Sequence, residues 1–558
     1  MSLSSAEESS STPADGGSAT DPSHGPPPPP EQPKSTWTRR LIILAFWAVI
    51  VTLGWPHWVF TTSIHRSDLP LESMNRWADG KACQLHYPLY IGLAWDDYDI
   101  SQVQDLASQV QSLLSAENDL SLYDFYIIAD ATNAETSQRA TLLAEAGGEL
   151  RGHREHALFV NVIADPSAKS TSASLRTWRP VLEVRHNPGR TVDSTTLAPF
   201  IASEIRKVYE HEKDAISHLL KDTPFTTSGQ VEALSPEVKS SLDARRTRAF
   251  KYAATYHLTF SLFTSSASPS AWEAEQALEE SISPLLDRLS SISEFTVDTQ
   301  VQLLASFSPS IAGPQYNEST QEWKLQRTDL SGFVNAAEWP LNPGIGSGPT
   351  INFVLFVPSE DQSPLVLAET GGNSWLIPQW GGVQILNPSG KQSERLSAAD
   401  LRPVMLTFAD QLSALLGLPD SPASPSLRIT SLVRERATSL VLSASSTLGA
   451  LARLSLKLTS IAIPDSVAKS VDETILRLDE ACHDLREGRY HRALENARTA
   501  EGEAEQAFFE PSMVGQVYFP EEHKVAVYVP LLGPMAVPLV MAALKEFRKL
   551  RGTKAKVA

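Results

Sequence analysis

An uncharged run near the N-terminus constrains this chain more than any other feature. Residues 41–64 contain no Asp, Glu, Lys or Arg, and a helix needs about 20 mainly apolar residues to cross a bilayer. Trp55 and Trp58 stand where an aromatic belt would meet the far interface. A cleaved signal peptide is the competing interpretation, but this run is too long and begins too far into the chain. The sequence therefore predicts a membrane span over 41–62.

A second uncharged run covers residues 525–544 and also has the length of a span. It contains Pro530, Pro534 and Pro538, each of which removes a backbone donor and disfavours a straight helix. In a bilayer the freed carbonyl groups need partners from neighbouring helices or from water. The spacing of four places the prolines on one helix face. We predict a kinked span that packs against other membrane helices, with a buried soluble hairpin as the alternative.

The charges beside these runs predict the orientation of the chain. Arg39 and Arg40 precede the first run, and six basic residues follow the second. Because positive residues stay on the cytosolic side, both termini are predicted to be cytosolic. The segment between the runs then lies across the membrane. It carries the acidic charge of the protein, since residues 41–540 have a net charge of −21 against −18 for the whole chain.

Two short signals fit a location of that segment in the endoplasmic reticulum lumen. Asn317 begins the N-E-S acceptor for N-glycosylation in a polar stretch. The chain ends KAKVA, which is similar to a lysine-based retrieval signal of cytosolic tails. The predicted organisation is a disordered cytosolic tail (1–40), a transmembrane helix (41–62), a lumenal α/β region (63–425), a lumenal helical region (426–510), a lumenal segment leading into the membrane (511–524), a Pro-containing transmembrane helix (525–544) and a basic cytosolic tail (545–558).

Apolar runs of strand length alternate with helical patterns across the predicted α/β region. Such alternation favours a mixed sheet layered with helices. Predicted strands are 88–95, 123–130, 156–164, 256–265, 297–307, 350–358 and 383–387, and predicted helices are 101–117, 134–147, 196–221, 270–290 and 397–416. After Pro425, two long helical patterns, 431–457 and 465–508, predict an appended helical hairpin with solvated charged faces.

The composition excludes some classes of function. A net charge of −18 argues against a nucleic-acid partner. Two cysteines, Cys83 and Cys482, are too few for a Cys-rich zinc site or a disulfide framework. We expect two unpaired buried thiols, with one bridge as the alternative. No residue pattern predicts a catalytic group, a cofactor or a metal site.

The stretch NSWLIPQWGGVQILN at 373–387 admits two interpretations. Pro378, Gly381 and Gly382 punctuate two apolar runs, which predicts a turn between strands. Trp375 and Trp380 could cover a sheet face, contact another subunit or line a ligand site, since aromatic side chains are enriched at interface anchors. A core and turn role is the plain interpretation, and contact with another subunit is the alternative that concerns function.

Three segments resemble the PIG-S family, a subunit of the GPI transamidase complex. They are GWPHWVFTTSIHRSDLP (54–70), NSWLIPQWGGVQILN (373–387) and FFEPSMVGQVYFPEEHKVAVYVPLLGP (508–534), the last with Tyr518 and His523 in the positions of the family pattern. The resemblance covers residues 40–545. It also includes the order of the segments and the two terminal spans.

The resemblance implies a non-catalytic role in the endoplasmic reticulum membrane. The complex replaces a C-terminal signal of a precursor protein by an amide to the ethanolamine of a GPI glycolipid. The resemblance implies that the nucleophilic cysteine belongs to a caspase-like subunit, and that this chain is a scaffold or handles substrate. The implied partners are PIG-K, PIG-T, PIG-U and the GPAA-one protein, with membrane lipids and the GPI glycolipid as further candidates. The alternatives are a stand-alone lumenal hydrolase and a lumenal adaptor or chaperone.

Overall fold

The structure is a computed structural model of the chain, and it divides into two compact units. The smaller unit is Met1–His65 with Gln516–Ala558, and the larger is Arg66–Gly515. The residues that the structure describes are 33–62, 65–95, 98–116, 122–129, 156–187, 194–221, 223–225, 234–305, 312–326, 328–329, 348–388, 393–422, 424–458, 461–513 and 522–554. The predicted helix 134–147 lies outside them.

The smaller unit contains the helical segments of both chain ends. The first runs through α1 (Pro33–Val49), a π-helical turn (Ile50–Gly54) and α2 (Trp55–Thr62). The other is one C-terminal helix, Glu522–Lys554. Residues 33–40 are helical, so the predicted disorder of 1–40 is wrong for these eight residues. Proline suits the first turn of a helix, where its missing N–H costs nothing.

An ion-pair cluster joins the two helical segments of the smaller unit. Arg39 Nη2 donates to Glu546 Oε1 at 2.7 Å, and Arg40 Nε donates to Glu546 Oε2 at 3.0 Å. Hydrogen bonds from Arg40 and then Arg39 lower the pKa of the Glu546 carboxyl. The C-terminal helix continues past the predicted end of the span at 544. It carries an anion, Glu546, that pairs with both arginines preceding the predicted first span.

Two helices are long and apolar enough to cross a membrane among the residues described. They are Lys34–His57 and Pro425–Lys457. The first is wholly exposed, whereas half of the second is buried inside the larger unit, as in a core helix. This criterion uses length and composition only, and several side chains of the C-terminal helix fall outside the described residues. A span at 525–544 stays a prediction.

The first half of the larger unit forms a five-stranded sheet. Its elements are α3 (Leu71–Ala78), β1 (Tyr87–Trp95), α4 (Ile100–Ala116), β2 (Tyr123–Ala129), β3 (His156–Ala164), β4 (Ser172–Leu175), β5 (Val181–His186) and α5 (Ser194–Leu220). The strand order is β2-β1-β3-β5-β4, and only β4 pairs antiparallel among these strands. Every residue of β1 is buried, as expected for a central parallel strand.

The second half forms another five-stranded sheet with smaller ladders. Its elements are α6 (Pro236–Arg248), β6 (Thr255–Thr264), β7 (Ala271–Trp272), α7 (Ala274–Ser281), α8 (Ser283–Leu289), β8 (Glu294–Gln302), β9 (Gln315–Asn317), β10 (Glu322–Leu325), β11 (Thr350–Val357), β12 (Leu365–Leu367), β13 (Ser374–Ile377), β14 (Gly381–Ile385), β15 (Arg395–Leu396) and α9 (Ala398–Leu415). The main sheet has the order β13-β14-β11-β6-β8. The predicted strands are confirmed except that 297–307 is found earlier in the chain, as β8. They form two main sheets where the sequence predicted one, because a hydrophobic pattern identifies strands but does not specify their pairing.

Three helices follow where the sequence predicts a hairpin of two. They are α10 (Pro425–Lys457), α11 (Asp465–Arg486) and α12 (Tyr490–Phe508). The predicted helix 465–508 breaks at Gly488, whose φ of +73° is a conformation that favours glycine at helix ends. The helical region is confirmed, with one additional turn.

A disulfide ties the helical region to the first sheet. Cys83, just before β1, bonds to Cys482 on α11, with the two Cα atoms 6.1 Å apart. The expectation of two unpaired thiols is therefore wrong. The two cysteines are 399 residues apart in sequence. Their proximity depends on the tertiary fold, so no local sequence pattern predicts the bond.

Candidate subunit-contact site

The stretch 373–387 forms a β-hairpin at one edge of the second sheet. β13 pairs antiparallel with β14, and β14 pairs parallel with β11. The hairpin is held at its open end, where Ile385 N donates to Asn373 O at 2.6 Å and Asn373 Nδ2 donates to Ile385 O at 3.0 Å. The predicted strand–turn–strand arrangement is confirmed.

The two glycines of the hairpin are required by close packing on both sides. A Cβ on Gly381 would lie 1.8 Å from the backbone oxygen of Asn352 on β11. A Cβ on Gly382 would lie 1.8 Å from Oε1 of Gln411, on α9. Gln411 in turn donates from Nε2 to Trp375 O at 3.0 Å. The Gly-Gly pair therefore lets a strand lie close to both its neighbour and the covering helix.

The turn of the hairpin is fixed against α6. Gln379 adopts a φ of +54°, and its backbone N–H donates to Arg248 O at 3.1 Å. Its side-chain amide donates to Thr247 O at 3.1 Å. Pro378 and Gln379 are nevertheless exposed. The tip thus presents a fixed surface to solvent.

The two tryptophans of the hairpin are half-buried. Trp375 and Trp380 pack against a small apolar cluster that is separate from the main core and includes Val354, Phe356 and Val383. Their partial exposure leaves aromatic surface on the outer side of the hairpin. The geometry favours the core and turn interpretation, and the exposed part of each ring is what a partner could contact.

The remaining residues predicted from the sequence lie elsewhere. Pro530, Pro534 and Pro538 lie within the C-terminal helix and are exposed, consistent with one shared face. His523 belongs to the same helix, but its side chain is not described, and Tyr518 lies outside the described residues. These residues belong to the smaller unit, whereas the hairpin belongs to the larger one.

A buried ion pair that the sequence reading missed lies between the first sheet and the helices. Arg434 on α10 donates from Nε to Glu212 Oε1 at 2.5 Å and from Nη2 to Glu212 Oε2 at 2.6 Å, and both side chains are almost fully buried. Tyr123 OH also donates to Glu212 Oε1 at 3.1 Å. The Arg434 guanidinium lies 5.0 Å from the ring centre of Tyr490, a cation–π distance.

The surroundings of Arg434 favour its charged form. Burial disfavours the charged guanidinium of Arg434, but the charge and hydrogen bonds of Glu212 outweigh that effect and raise its pKa. Burial also raises the pKa of Tyr123 and Tyr490, so these phenols stay neutral. We interpret the cluster as a structural connection between α5 and α10.

A sequence signal for Arg434 existed. One face of α10 is buried and includes Leu427, Val441 and Leu448, which follow one another at multiples of seven residues. Arg434 lies on the same face. A charged residue on an apolar helix face is buried only when it is paired. The position of Arg434 on this face therefore predicts a buried acidic partner, although it does not identify Glu212.

Metal-binding clusters and free thiols are absent from the part of the chain that the structure describes. The described residues contain no group of three or more His, Cys, Asp or Glu side chains that could hold a metal ion. Both cysteines, Cys83 and Cys482, are bonded to each other in the disulfide. One cavity, lined by Tyr252, Tyr256 and Arg436 among others, has a volume of about 10 Å³, the size of a single water molecule.

Comparison with known proteins gives matches over nearly the whole chain. A sequence profile described as "Phosphatidylinositol-glycan biosynthesis class S protein" matches residues 45–553. The "GPI transamidase component PIG-S homolog" of Schizosaccharomyces pombe is 27% identical over 524 residues, covering 92% of this chain and 84% of that protein. The "GPI-anchor transamidase component PIGS" of Rattus norvegicus is 27% identical over 541 residues, covering 90% and 94%. The "GPI transamidase component GPI17" of Saccharomyces cerevisiae is 25% identical over 552 residues, covering 93% and 95%.

Proposed function

Because the chain belongs to the phosphatidylinositol-glycan biosynthesis class S family, we propose that it is a non-catalytic subunit of a GPI transamidase. Its role is to support the attachment of GPI anchors to precursor proteins, as a scaffold or by handling substrate. Its proposed partners are PIG-K, PIG-T, PIG-U and the GPAA-one protein. Relatives named as transamidase components support this assignment across both units of the chain.

The state of the cysteines carries the non-catalytic part of the proposal. A transamidation that proceeds through a cysteine nucleophile needs a thiolate. Cys83 and Cys482 are bonded to each other and are almost completely buried. Neither can attack a substrate while the bond is intact, so the nucleophile of such a reaction comes from another chain.

We further propose that the protein spans the endoplasmic reticulum membrane twice, with both termini cytosolic and the larger unit in the lumen. Leu44, Phe46 and Leu53 in the N-terminal helical segment are about half exposed or more, which suits a lipid environment. Disulfides persist in oxidising compartments, which supports a lumenal larger unit. The pairing of Arg39 and Arg40 with Glu546 supports placing both helix ends on one side.

Asn317 supplies a site at which this topology is testable. It ends β9 at a tight turn, where its Oδ1 accepts from Ser319 N at 3.0 Å and from Ser319 Oγ at 2.6 Å. The residues at 318–320 are exposed. We propose that Asn317 carries an N-linked glycan, which is added only in the lumen.

The first experiment is affinity purification of the full-length chain in mild detergent, followed by mass spectrometry. We expect stoichiometric recovery of a caspase-like subunit and multi-span partners. The Cys83→Ala/Cys482→Ala double variant should still support anchor attachment in cells that lack the natural protein. A chain that purifies alone would overturn the subunit proposal and favour a hydrolase or an adaptor. Loss of anchor attachment in a double variant that folds and assembles would overturn the non-catalytic assignment.

The topology is tested separately. Endoglycosidase treatment should increase the mobility of the wild-type chain and leave the Asn317→Gln variant unchanged. A single cysteine introduced near either terminus should react with an impermeant maleimide in intact microsomes. Reaction only after the membrane is permeabilised would contradict cytosolic termini.

The hairpin tryptophans are proposed as a subunit contact that this role would use. Trp380→Ala should weaken complex assembly while the larger unit stays folded. Trp323→Ala is the matched control, because Trp323 packs on the same apolar cluster from β10. If the two variants assemble equally well, the hairpin stabilises the fold of the larger unit and does not contact another subunit.

A further inference from the structure

The two main sheets of the larger unit share one arrangement of strands. Written from the same edge, their orders are β2-β1-β3-β5-β4 and β8-β6-β11-β14-β13. In each sheet the first four strands run parallel, and the last one pairs antiparallel with its neighbour. The strands β2 and β8 are therefore equivalent edge strands, and their outer edges can be compared directly.

A glutamine side chain covers the outer edge of β2. Gln111, on α4, donates from Nε2 to Phe125 O at 2.6 Å, and its Oε1 accepts from Ile127 N at 2.8 Å. These two backbone groups point away from β1, because Leu122 O accepts from Tyr87 N and the direction of the backbone groups alternates along a strand. The side chain of Gln111 thus makes the hydrogen bonds that a further strand would make.

The outer edge of β8 has no such cover among the described residues. Glu294 N donates to Ala254 O, so the backbone groups of the even-numbered residues of β8 face β6. The backbone groups of the alternate residues point away from β6, and these residues are Phe295, Val297, Thr299 and Val301. No described residue bonds to them on that side. Their N–H and C=O groups are open to a partner strand.

This edge also lacks the usual protection against unwanted pairing. β8 is nine residues long, whereas the edge strands β4 and β13 have four residues each. Residues 289–308 contain no Lys, Arg, Pro or Gly. Val297 and Val301 are 41% and 40% exposed. A long, partly apolar edge of this kind pairs readily with other chains, so proteins cover or interrupt it. A partner that stays bound would supply the cover.

The charge of the edge narrows the choice of partner. Glu294 and Asp298 are exposed, and neither forms an ion pair with a described residue. Two copies of β8 paired with each other would bring these carboxylates close together, which disfavours a second copy of this chain. A basic side chain on the neighbouring strand would instead form a favourable cross-strand pair.

We propose that the outer edge of β8 pairs with an extended segment of another subunit, which carries a basic side chain opposite Asp298. Pairing of this kind adds a strand to an existing sheet and derives its affinity from main-chain hydrogen bonds. A permanent subunit is favoured over a precursor protein, because a precursor would leave the edge open between rounds of anchor attachment. This inference rests on the proposed function, because it requires that the chain works within a complex.

Hydrogen exchange at single-residue resolution tests the pairing in the full-length chain. The chain in its detergent-purified complex is compared with the same chain after the other subunits have been removed. The outward amides of Val297, Thr299 and Val301 should exchange at least about tenfold more slowly in the complex, because only there do they have acceptors. Unchanged exchange at these amides in a complex that is otherwise intact would overturn the proposal.

A photoreactive phenylalanine derivative at Thr299 identifies the partner. We expect a cross-link to a segment of another subunit that contains Lys or Arg. The control carries the same group at Tyr316, an exposed aromatic residue on β9, and should not link to that segment. Cross-links from Thr299 only to a precursor protein, to a second copy of this chain or to lipid would overturn the proposal.

Proline substitution provides an independent readout. Thr299→Pro removes an outward N–H and no hydrogen bond to β6, a position at which edge strands tolerate proline. It should reduce retention of the cross-linked subunit about tenfold, whereas Thr299→Ala keeps the N–H and should retain that subunit. Asp298→Lys leaves every backbone group in place and should also weaken retention, so the test survives if the proline variant does not fold. If the wild-type chain purifies alone, the proposed function fails. If the wild-type complex is recovered and every variant retains all subunits equally, only this inference fails.

Discussion

Removing the guanidinium of Arg434 should destabilise the larger unit far more than removing an exposed one. In Arg434→Met, the carboxylate of Glu212 stays buried and keeps the hydroxyl of Tyr123 as a donor. It loses two hydrogen bonds from a charged partner. Breaking a buried ion pair in this way costs about 3–5 kcal/mol, because an uncompensated charge remains in a low-dielectric interior.

The size of the effect on melting temperature follows from the size of the unit. Arg66–Gly515 spans about 450 residues, and the entropy of unfolding is about 2.1 cal/mol/K per residue. The unit then has an unfolding entropy of about 0.9 kcal/mol/K. A loss of about 3–5 kcal/mol lowers Tm by about 3–5 °C when the unit melts cooperatively.

Near-ultraviolet circular dichroism of the detergent-purified chain measures this change. Arg477→Met is the control, because Arg477 pairs with Glu473 and Glu480 on an exposed helix surface. Exposed pairs contribute about 0–1 kcal/mol, so its Tm should move by no more than about 1 °C. Glu212→Leu/Arg434→Met should melt close to wild type, since it removes both charges. A single variant as stable as the control, or a double variant as unstable as the single one, would refute the reasoning.

Three further changes test other features. Gly381→Ala should cost about 3 kcal/mol because its Cβ would overlap a backbone oxygen. Gly372→Ala, whose Cβ would meet only the Thr370 hydroxyl at 3.3 Å, should cost less than about 1 kcal/mol in the same thermal unfolding measurement. Replacing Cys83 and Cys482 by alanine removes a link across 399 residues and should cost about 2–5 kcal/mol, measured by the same unfolding with the reduced wild type for comparison. Burial raises the pKa of Glu501, so its ionised form opposes folding at neutral pH, and Glu501→Gln should raise Tm at pH 7. That advantage should vanish as the pH falls below the ordinary carboxyl range, and a constant difference across pH would contradict it.

Local sequence pattern predicts much of the architecture. The run that becomes β1 is apolar over its whole length, and the runs that become β6 and β11 are rich in aromatic and branched apolar residues and almost wholly buried, as central parallel strands are. By contrast, β4 is short and only half-buried, so no run of apolar residues identified it. The predicted strand 297–307 is found earlier, at β8, because that edge strand has an exposed and mostly polar surface.

Among the candidate sites, those built from neighbouring residues are predictable from the sequence, and those built from distant residues are not. The turn at Pro378 and the glycines beside it are local features, so the sequence identifies the hairpin directly. The Glu212–Arg434 pair and the disulfide join residues that lie hundreds of positions apart. Their contact depends on how sheets and helices pack, and a single sequence carries no periodic signal for that.

The bond between Cys83 and Cys482 also sets an order of events during synthesis. Cys83 is made early, but its partner is made 399 residues later. The thiol of Cys83, just before β1, therefore stays unpaired while both sheets and α10 are being synthesised. The bond can close only after both sheets, α10 and most of α11 have been made, and a chain truncated before α11 would leave Cys83 open to wrong partners.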